Sequence, residues 1–371
     1  MRILVLSVSA GAGHVRAAQS ICAAGAALPG LELTHLDVLD LVSGGFRKFY
    51  GSVYLKLVEK APQLWAYLYD RTDHPPSSSW LESARRHVER LNTRRLDAEI
   101  AQVAPDAIVC THFLPAELLS RRIASGQPTP PVWINVTDFD VHGLWLHPRI
   151  AGYCVATEEV AVRLAARGIP EQQIHVTGIA VMPQFGKPPT RATAAAELGL
   201  DPARPTLLMM SGGAGVGGID RLAEQAALAF PEVQIVALAG RNEDLLRRLG
   251  EVAARHPGRV YPQGFTSTIE RVMAAADLAI TKPGGLTTSE CLAMQLPMIV
   301  VSPIPGQEER NADTLLEAGC ALKAVDTAAL VYKIRRLLDD PARLARMRES
   351  QVQLARPQAA RAIVDLVRAA A

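Results

Sequence analysis

Two doubly wound α/β domains facing each other across a cleft are the architecture that this 371-residue sequence predicts. Short apolar runs of strand length recur along the chain and alternate with helical patterns, as in open parallel sheets with helices on both faces. Several of these runs break into glycine-rich or proline-bearing loops that open a helix, the position at a strand's carboxyl end where such sheets bind ligands. Near residue 180 the series is interrupted by Gly178-Ile179-Ala180-Val181-Met182-Pro183 and the polar, proline-bearing stretch 186–193, which marks the domain boundary.

The first series places strands at residues 3–7, 31–37, 107–111, 132–136, 153–156 and 174–176. Its opening letters, a basic residue before a short apolar run, could also be read as a secretory signal. A strand entering a glycine-rich loop and then a helix over 15–27 explains the same letters and keeps the first βα unit. The second series places strands at 206–210, 234–239, 259–261, 278–281, 298–301 and 321–324, and alanine- and arginine-rich helices close the chain after Thr327. The expected domains are therefore 1–180 and 181–349, with the last helix, about 350–371, treated apart from the second. No period of 20 to 50 residues is visible, which argues against a solenoid.

Composition narrows the function classes. Hydrophobic residues make up 49% of the chain, ample for two large cores. A net charge of +2 is too mild for nucleic acid to be the main partner. The five cysteines, Cys22, Cys110, Cys154, Cys291 and Cys320, lie scattered in apolar runs without a C-x-x-C pair and read as reduced core thiols of a cytoplasmic protein. No apolar stretch approaches the roughly 18 residues of a spanning helix, so any membrane contact is expected to be peripheral.

Two linked loops of the second half carry the strongest chemical signal. Thr281-Lys282-Pro283-Gly284-Gly285-Leu286-Thr287-Thr288-Ser289-Glu290 follows one strand run and Gly306-Gln307-Glu308-Glu309-Arg310-Asn311 follows the next. Glycines at such a break let backbone N–H groups and a helix N-terminus approach an anion, and Glu290, expected in the first helical turn, can accept hydrogen bonds from ligand hydroxyls. The pair suits a phosphate with a ribose beside it. Ser211-Gly212-Gly213-Ala214-Gly215-Val216-Gly217-Gly218 contains G-x-G-x-x-G, but the next strand ends in Ala239-Gly240-Arg241-Asn242 and not in the acidic residue a nicotinamide enzyme wants, and no P-loop is present.

In the first half, Ser9-Ala10-Gly11-Ala12-Gly13-His14 joins the first strand to the first helix. Its glycines permit close approach by a ligand, and His14 is either a base projecting from the helix start or a helix-terminal residue in an ordinary turn. Asp138-Phe139-Asp140, with His142 and His147 behind it, looks like the D-x-D of metal-dependent sugar transferases, yet no H-E-x-x-H or Cys/His cluster supports a metal, and none is expected. Asp138 reads as a second cleft carboxylate that orients or assists a base, or as a helix or turn cap. Residues 46–69 hold Phe46, Phe49, Tyr50, Tyr54, Trp65, Tyr67 and Tyr69, out of four Trp, seven Tyr and seven Phe in the whole chain, with Arg47, Lys48, Lys56 and Lys60 among them. Phe46, Phe49, Tyr50, Val53, Tyr54, Leu57 and Val58 recur at spacings of 3 and 4, which fits a core-facing helix with a solvated face, and the aromatic and basic content fits a helix lying in an anionic membrane interface.

Together these motifs resemble the monogalactosyldiacylglycerol synthases and processive diacylglycerol β-glucosyltransferases of glycosyltransferase family 28. The resemblance covers nearly the whole chain: Ser9 to His14, the stretch 36–73 with its Trp65-Ala66-Tyr67-Leu68-Tyr69-Asp70-Arg71 run, Thr137-Asp138-Phe139, Ser211 to Gly217, Gly264-Phe265, and most specifically Lys282 to Thr287 through Pro305 to Ala312. It implies a GT-B fold, with a UDP-sugar in the C-terminal domain, the acceptor in the N-terminal one and the final helix packed back on the latter. Ser211, Gly212, Gly213, Gly215, Lys282, Gly284, Gly285 and Thr287 would cradle the diphosphate, Phe265 would lie beside the uracil, Glu290 would bind the ribose, and Gln307 and Glu308 would meet the sugar hydroxyls.

The same resemblance makes His14, assisted by Asp138, the catalytic base. Gly13, Phe46, Phe49, Tyr50, Tyr54, Trp65, His142 and Trp145 fall to the acceptor and membrane side. The implied reaction moves glucose or galactose from UDP-glucose or UDP-galactose to diacylglycerol with inversion, giving a β-glycosyldiacylglycerol at the inner face of the cell membrane without a cofactor. Rival expectations are an N-acetylglucosamine donor, another lipid or polyprenyl acceptor, and a non-catalytic UDP-sugar-binding protein. Ala12, where the family often has a third glycine, and Ser211, where many members carry Gly, are small departures that bear on acceptor fit.

Overall fold

The structure, a computed structural model, describes residues 1–9, 11–42, 62–73, 95–210 and 218–370. Phe46, Phe49, Tyr50 and Tyr54 lie outside the described residues, as do Ser211, Gly212, Gly213 and Gly215. Trp65 lies on a described helix, Pro62–Asp73.

The chain forms two compact units. The first contains Met1–Pro183, Pro305–Gln307 and Gln358–Ala371; the second contains Gln184–Ile304 and Glu308–Pro357. Each is built on a six-stranded sheet in which every neighbouring pair runs parallel. In the first, β1 (Arg2–Ser7), β2 (Glu32–Asp37), β3 (Ala107–Cys110), β4 (Val132–Asn135), β5 (Gly152–Val155) and β6 (Ile174–Val176) lie in the order β2-β1-β3-β4-β5-β6. In the second, β7 (Thr206–Met210), β8 (Gln234–Leu238), β9 (Val260–Gln263), β10 (Leu278–Thr281), β11 (Met298–Val301) and β12 (Ala321–Ala324) lie in the order β12-β11-β10-β7-β8-β9. Both orders are those of doubly wound sheets, and the strands fall within about two residues of their expected positions.

Burial on both faces explains why these strands read as continuous apolar runs and not as alternating ones. Along β1, Leu4 and Leu6 enter one core with Ile108, Cys110 and Ile134. Ile3 and Val5, pointing the other way, enter a second core with Ala107, Val109 and Trp133. That second core is roofed by two helices. Ala12–Ala26 contributes Ala17, Ala18 and Ile21, and Ala359–Ala369, the last helix of the chain, contributes Ala360, Ile363, Val364 and Val367. The spacing of those four residues puts them on one stripe of the helix, and each fully buried Ile or Val contributes about 1.5–3 kcal/mol.

In the second unit, β7, β8 and β10 bury their side chains against helices Ile219–Ala229, Glu243–Arg255 and Thr327–Leu338. All five cysteines are free. Burial pushes their thiols upward, to about 11 for Cys22 and Cys320 and about 12 for Cys154. Thiols so far above neutral pH are poor nucleophiles and metal ligands.

Candidate active site

In the first unit the strand order places β1 beside both β2 and β3, so the connections leave β1 in opposite directions at its carboxyl end. Such a switch point opens a crevice. His14 stands there, in the first turn of helix Ala12–Ala26 directly after β1. Its Nδ1 lies 2.9 Å from the carbonyl oxygen of Thr111 and 3.0 Å from the hydroxyl oxygen of Thr137, residues that follow β3 and β4. A carbonyl can only accept, so Nδ1 carries the ring hydrogen and Nε2 carries the lone pair. Thr111 also ties back to the same residue, its hydroxyl donating to the His14 carbonyl at 2.8 Å. Burial lowers the His14 pKa from 6.5 to about 4, against the Thr111 hydrogen bond, which raises it. The imidazole is therefore neutral near pH 7 and able to take a proton at Nε2.

His112 packs its ring edge-on against His14, with centroids 4.5 Å apart and planes at 78°. Its Nδ1 accepts from Leu114 N–H at 3.0 Å, capping helix Phe113–Ala124. Burial first, and the charge of His14 second, hold its pKa well below the ordinary value. Phe113 and Trp145 continue the aromatic wall, and Trp145 is buried.

Asp138 follows Thr137 and is half-buried, beside the His14 contact. Asp140 is buried and paired with Arg163 at 2.5 Å, which gives the second carboxylate of the Asp138-Phe139-Asp140 triplet a structural partner. His142 is also buried, donating from Nε2 to the Tyr69 carbonyl at 2.8 Å and accepting at Nδ1 from Leu144 N–H at 3.1 Å. It anchors helix Pro62–Asp73 to the turn after β4. Gly143 completes that anchor because a Cβ there would stand 2.3 Å from the Asp73 carbonyl oxygen. Among the described residues no group of three or more His, Cys, Asp or Glu is arranged to hold a metal.

In the second unit the corresponding switch point lies between β7 and β10. The loop Lys282-Pro283-Gly284 leaves β10 and opens helix Gly285–Ala293, whose N-terminus has no side-chain cap. Its first N–H groups are thus available to an anion. Thr287 is half-buried in that turn. Glu290 is buried and lies in the second turn, not the first, because Pro283 and Gly284 delay the helix start to Gly285.

One hydrogen bond joins this loop to the next, and the Glu308 carboxylate lies close to both. Asn311 Nδ2 donates to the Pro283 carbonyl at 3.0 Å. Glu308 Oε2 accepts from Ile304 N–H at 2.7 Å. Its Oε1 would be 3.6 Å from a Cβ at Gly284, ordinary contact distance, so the carboxylate lines the loop. Gln307 is the first residue of helix Gln307–Glu317 and is half-buried. Farther along the row of strand ends, Phe265 is 60% exposed after β9, with the Arg241 guanidinium 4.8 Å from its ring centre. An exposed aromatic face of this kind is a surface for a planar base.

His14, Asp138, Glu290 and Glu308 stand out in the sequence, but Thr111, His112, Thr137 and Arg241 carry no assigned role there, Thr137 entering only within the Thr137-Asp138-Phe139 motif. The signal for the first three was present: a buried apolar run, Ala107 to Cys110, ends abruptly in Thr-His, and Val132 to Val136 ends in Thr-Asp.

Comparison with known proteins bears on the fold and the family. Residues 14–181 match the family model of monogalactosyldiacylglycerol (MGDG) synthase, and residues 207–364 match the glycosyltransferase family 28 C-terminal domain. A processive diacylglycerol beta-glucosyltransferase of Bacillus pumilus is 32% identical over 266 residues, covering 71% of this chain and 69% of that protein. Another, of Bacillus mycoides, is 27% identical over 370 residues, covering 99% of this chain and 93% of that protein. The solved S. aureus MnaA-UDP co-structure shares the fold, with a TM-score of 0.65 at 13% identity, covering 99% of this chain and 96% of that one. The two parallel-sheet units are thus those of a GT-B fold, and the chain belongs to the glycosyltransferase family 28 group that contains the monogalactosyldiacylglycerol synthases and processive diacylglycerol beta-glucosyltransferases.

Proposed function

We propose that this enzyme transfers glucose or galactose from a UDP-sugar to diacylglycerol, with inversion, as a peripheral protein at the inner face of the cell membrane. The observation that carries the reading is His14, held by Thr111 so that Nε2 is a free base at the switch point of the first unit. A diacylglycerol hydroxyl placed at Nε2 would lose its proton as its oxygen attacks the anomeric carbon, the geometry general-base catalysis needs.

Departure of UDP builds negative charge on the diphosphate while the sugar becomes oxocarbenium-like. The uncapped N-terminus of helix Gly285–Ala293 and Lys282 meet that charge where it develops, which leaves no step that requires a metal. Glu290 is assigned to the ribose hydroxyls, Phe265 to the uracil, and Gln307 and Glu308 to the sugar. Among the described residues no helix is long and apolar enough to cross a membrane, and the basic and aromatic residues of 46–69 would hold the protein to an anionic surface.

Incubation with diacylglycerol vesicles and each radiolabelled UDP-hexose, followed by thin-layer and mass analysis of the lipids, tests the reading. Formation of a β-linked glycosyldiacylglycerol supports it and names the donor. Transfer only to a polyprenyl lipid, or UDP binding without transfer, overturns it.

A further inference from the structure

We propose that Thr137 is a positioning residue whose hydroxyl, together with the Thr111 carbonyl, forms a two-oxygen clamp on Nδ1–H of His14, fixing the ring and taking up its charge when Nε2 accepts the acceptor's proton. The inference rests on the glycosyl-transfer reading for its role in turnover, but the clamp itself is read from the geometry.

His14 Nδ1 has two oxygens at hydrogen-bond distance, Thr111 O at 2.9 Å and Thr137 Oγ1 at 3.0 Å. One hydrogen on Nδ1 can be shared between both in a three-centre bond. In the neutral ring the second oxygen adds little, because the carbonyl already satisfies the donor. In the imidazolium that forms during proton transfer, positive charge spreads to Nδ1–H, and hydrogen bonds to a charged donor are roughly twice as strong as neutral ones. The clamp thus acts most strongly when Nε2 is protonated, as the barrier is crossed, which is the condition for raising kcat.

The surroundings give these oxygens weight. Thr137 is 5% exposed and Thr111 fully buried, so water competes poorly for Nδ1. His112, the imidazole at the end of β3, faces His14 with its ring edge and has its own Nδ1 committed to Leu114 N–H. Asp138, at the end of β4, is the nearest carboxylate along the chain to Thr137. The clamp is preorganised by the sheet: Thr111 is fixed by its N–H to the Leu6 carbonyl at 3.0 Å and by its hydroxyl to the His14 carbonyl. The Leu6 contact ties the end of β3 to the adjacent β1, and the His14 contacts tie both β3 and β4 to the first turn of helix Ala12–Ala26.

Thr137→Val keeps the shape and removes the oxygen; Thr137→Ser keeps the oxygen and removes the methyl. The test measures turnover with labelled UDP-hexose and diacylglycerol vesicles, UDP affinity by calorimetry, and the titration of His14 by NMR in each variant. For Thr137→Val we expect turnover to fall about tenfold to a hundredfold, the rate equivalent of one hydrogen bond to a charged group, with UDP affinity unchanged. The His14 midpoint should move further down, and Thr137→Ser should restore both. Wild-type turnover and titration in Thr137→Val would overturn the clamp, as would a Thr137→Ser variant as impaired as the valine. If the wild type makes no glycolipid, the transfer reading falls, while the His14 titrations of wild type and valine variant still decide the clamp.

Discussion

Asp73 and Arg167 meet in a two-pronged ion pair across 94 residues of sequence, Nη1 and Nη2 of the guanidinium standing 2.8 and 3.1 Å from Oδ1 and Oδ2. The same carboxylate accepts from Gly143 N–H at 2.6 Å, so one side chain fastens the end of helix Pro62–Asp73 to two other segments of the first unit. Burial alone would raise its pKa; the Arg167 and Gly143 hydrogen bonds and the His142 charge outweigh it and bring it from 3.8 to about 2.

Asp73→Ala should therefore destabilise the first unit by about 3 kcal/mol, because it leaves a largely buried guanidinium and an N–H without their acceptor. The folded-state pKa lies below the unfolded one, so the contribution is complete above pH 3.8 and is lost as pH falls through about 2. Urea melts at pH 7 and pH 2 check this: the gap between wild type and variant should be present at the first and shrink at the second. An equal gap at both would remove the ionised pair as its cause.

For His14, the low pKa of about 4 places the acid limb of kcat/KM near that value and well below 6.5, since the base must be unprotonated to act. His14→Ala should lower turnover about 10^2- to 10^4-fold with UDP affinity little changed. A pH–rate profile with its limb at 6.5, or near-normal turnover in the variant, would transfer the role of base to Asp138.

Glu290→Gln should weaken UDP binding by about 1.5–3 kcal/mol, the loss of charge-assisted hydrogen bonds to the ribose, while thermal melting stays close to wild type. Calorimetry with UDP decides. Unchanged affinity would take this buried carboxylate out of the nucleotide site.

Turnover should survive excess EDTA, since the uncapped N-terminus of helix Gly285–Ala293 and Lys282 are there to meet the diphosphate. Chelation that stops the reaction, with recovery on adding magnesium or manganese, would bring the carboxylate of Asp138 back as a metal ligand.

Much of this molecule could be read from its sequence, and the exceptions share a physical cause. A strand such as Leu278–Thr281 announces itself through three adjacent apolar residues, a threonine and the Pro-Gly break behind them, because burial on both faces and the end of the strand are local facts. The positions of His14 and of Gly284 at strand ends were legible for the same reason. The turn that carries Glu290 was misjudged by one, since periodicity fixes a helix's face better than its first residue. What the residues do to one another was hidden. Thr111 lies 97 positions from His14 and Thr137 lies 123, and a threonine after an apolar run carries no mark of the ring it will touch. Arg167 gives no local sign of Asp73 either. Such pairings depend on which strands become neighbours, and sheet order is set by the whole chain.

The last helix, Ala359–Ala369, has a consequence for how the protein is made. Its Ile363, Val364 and Val367 complete the core over Ala17, Ala18 and Ile21, residues that leave the ribosome well before them. At about 5–20 residues per second, the roughly 340 residues between them take about 20 to 70 s to translate. Throughout that interval, in which the whole second unit up to Pro357 is synthesised, the outer face of helix Ala12–Ala26 lacks part of its cover. The nascent first unit is thus the part that needs shielding from aggregation, and it becomes whole only when helix Ala359–Ala369 arrives.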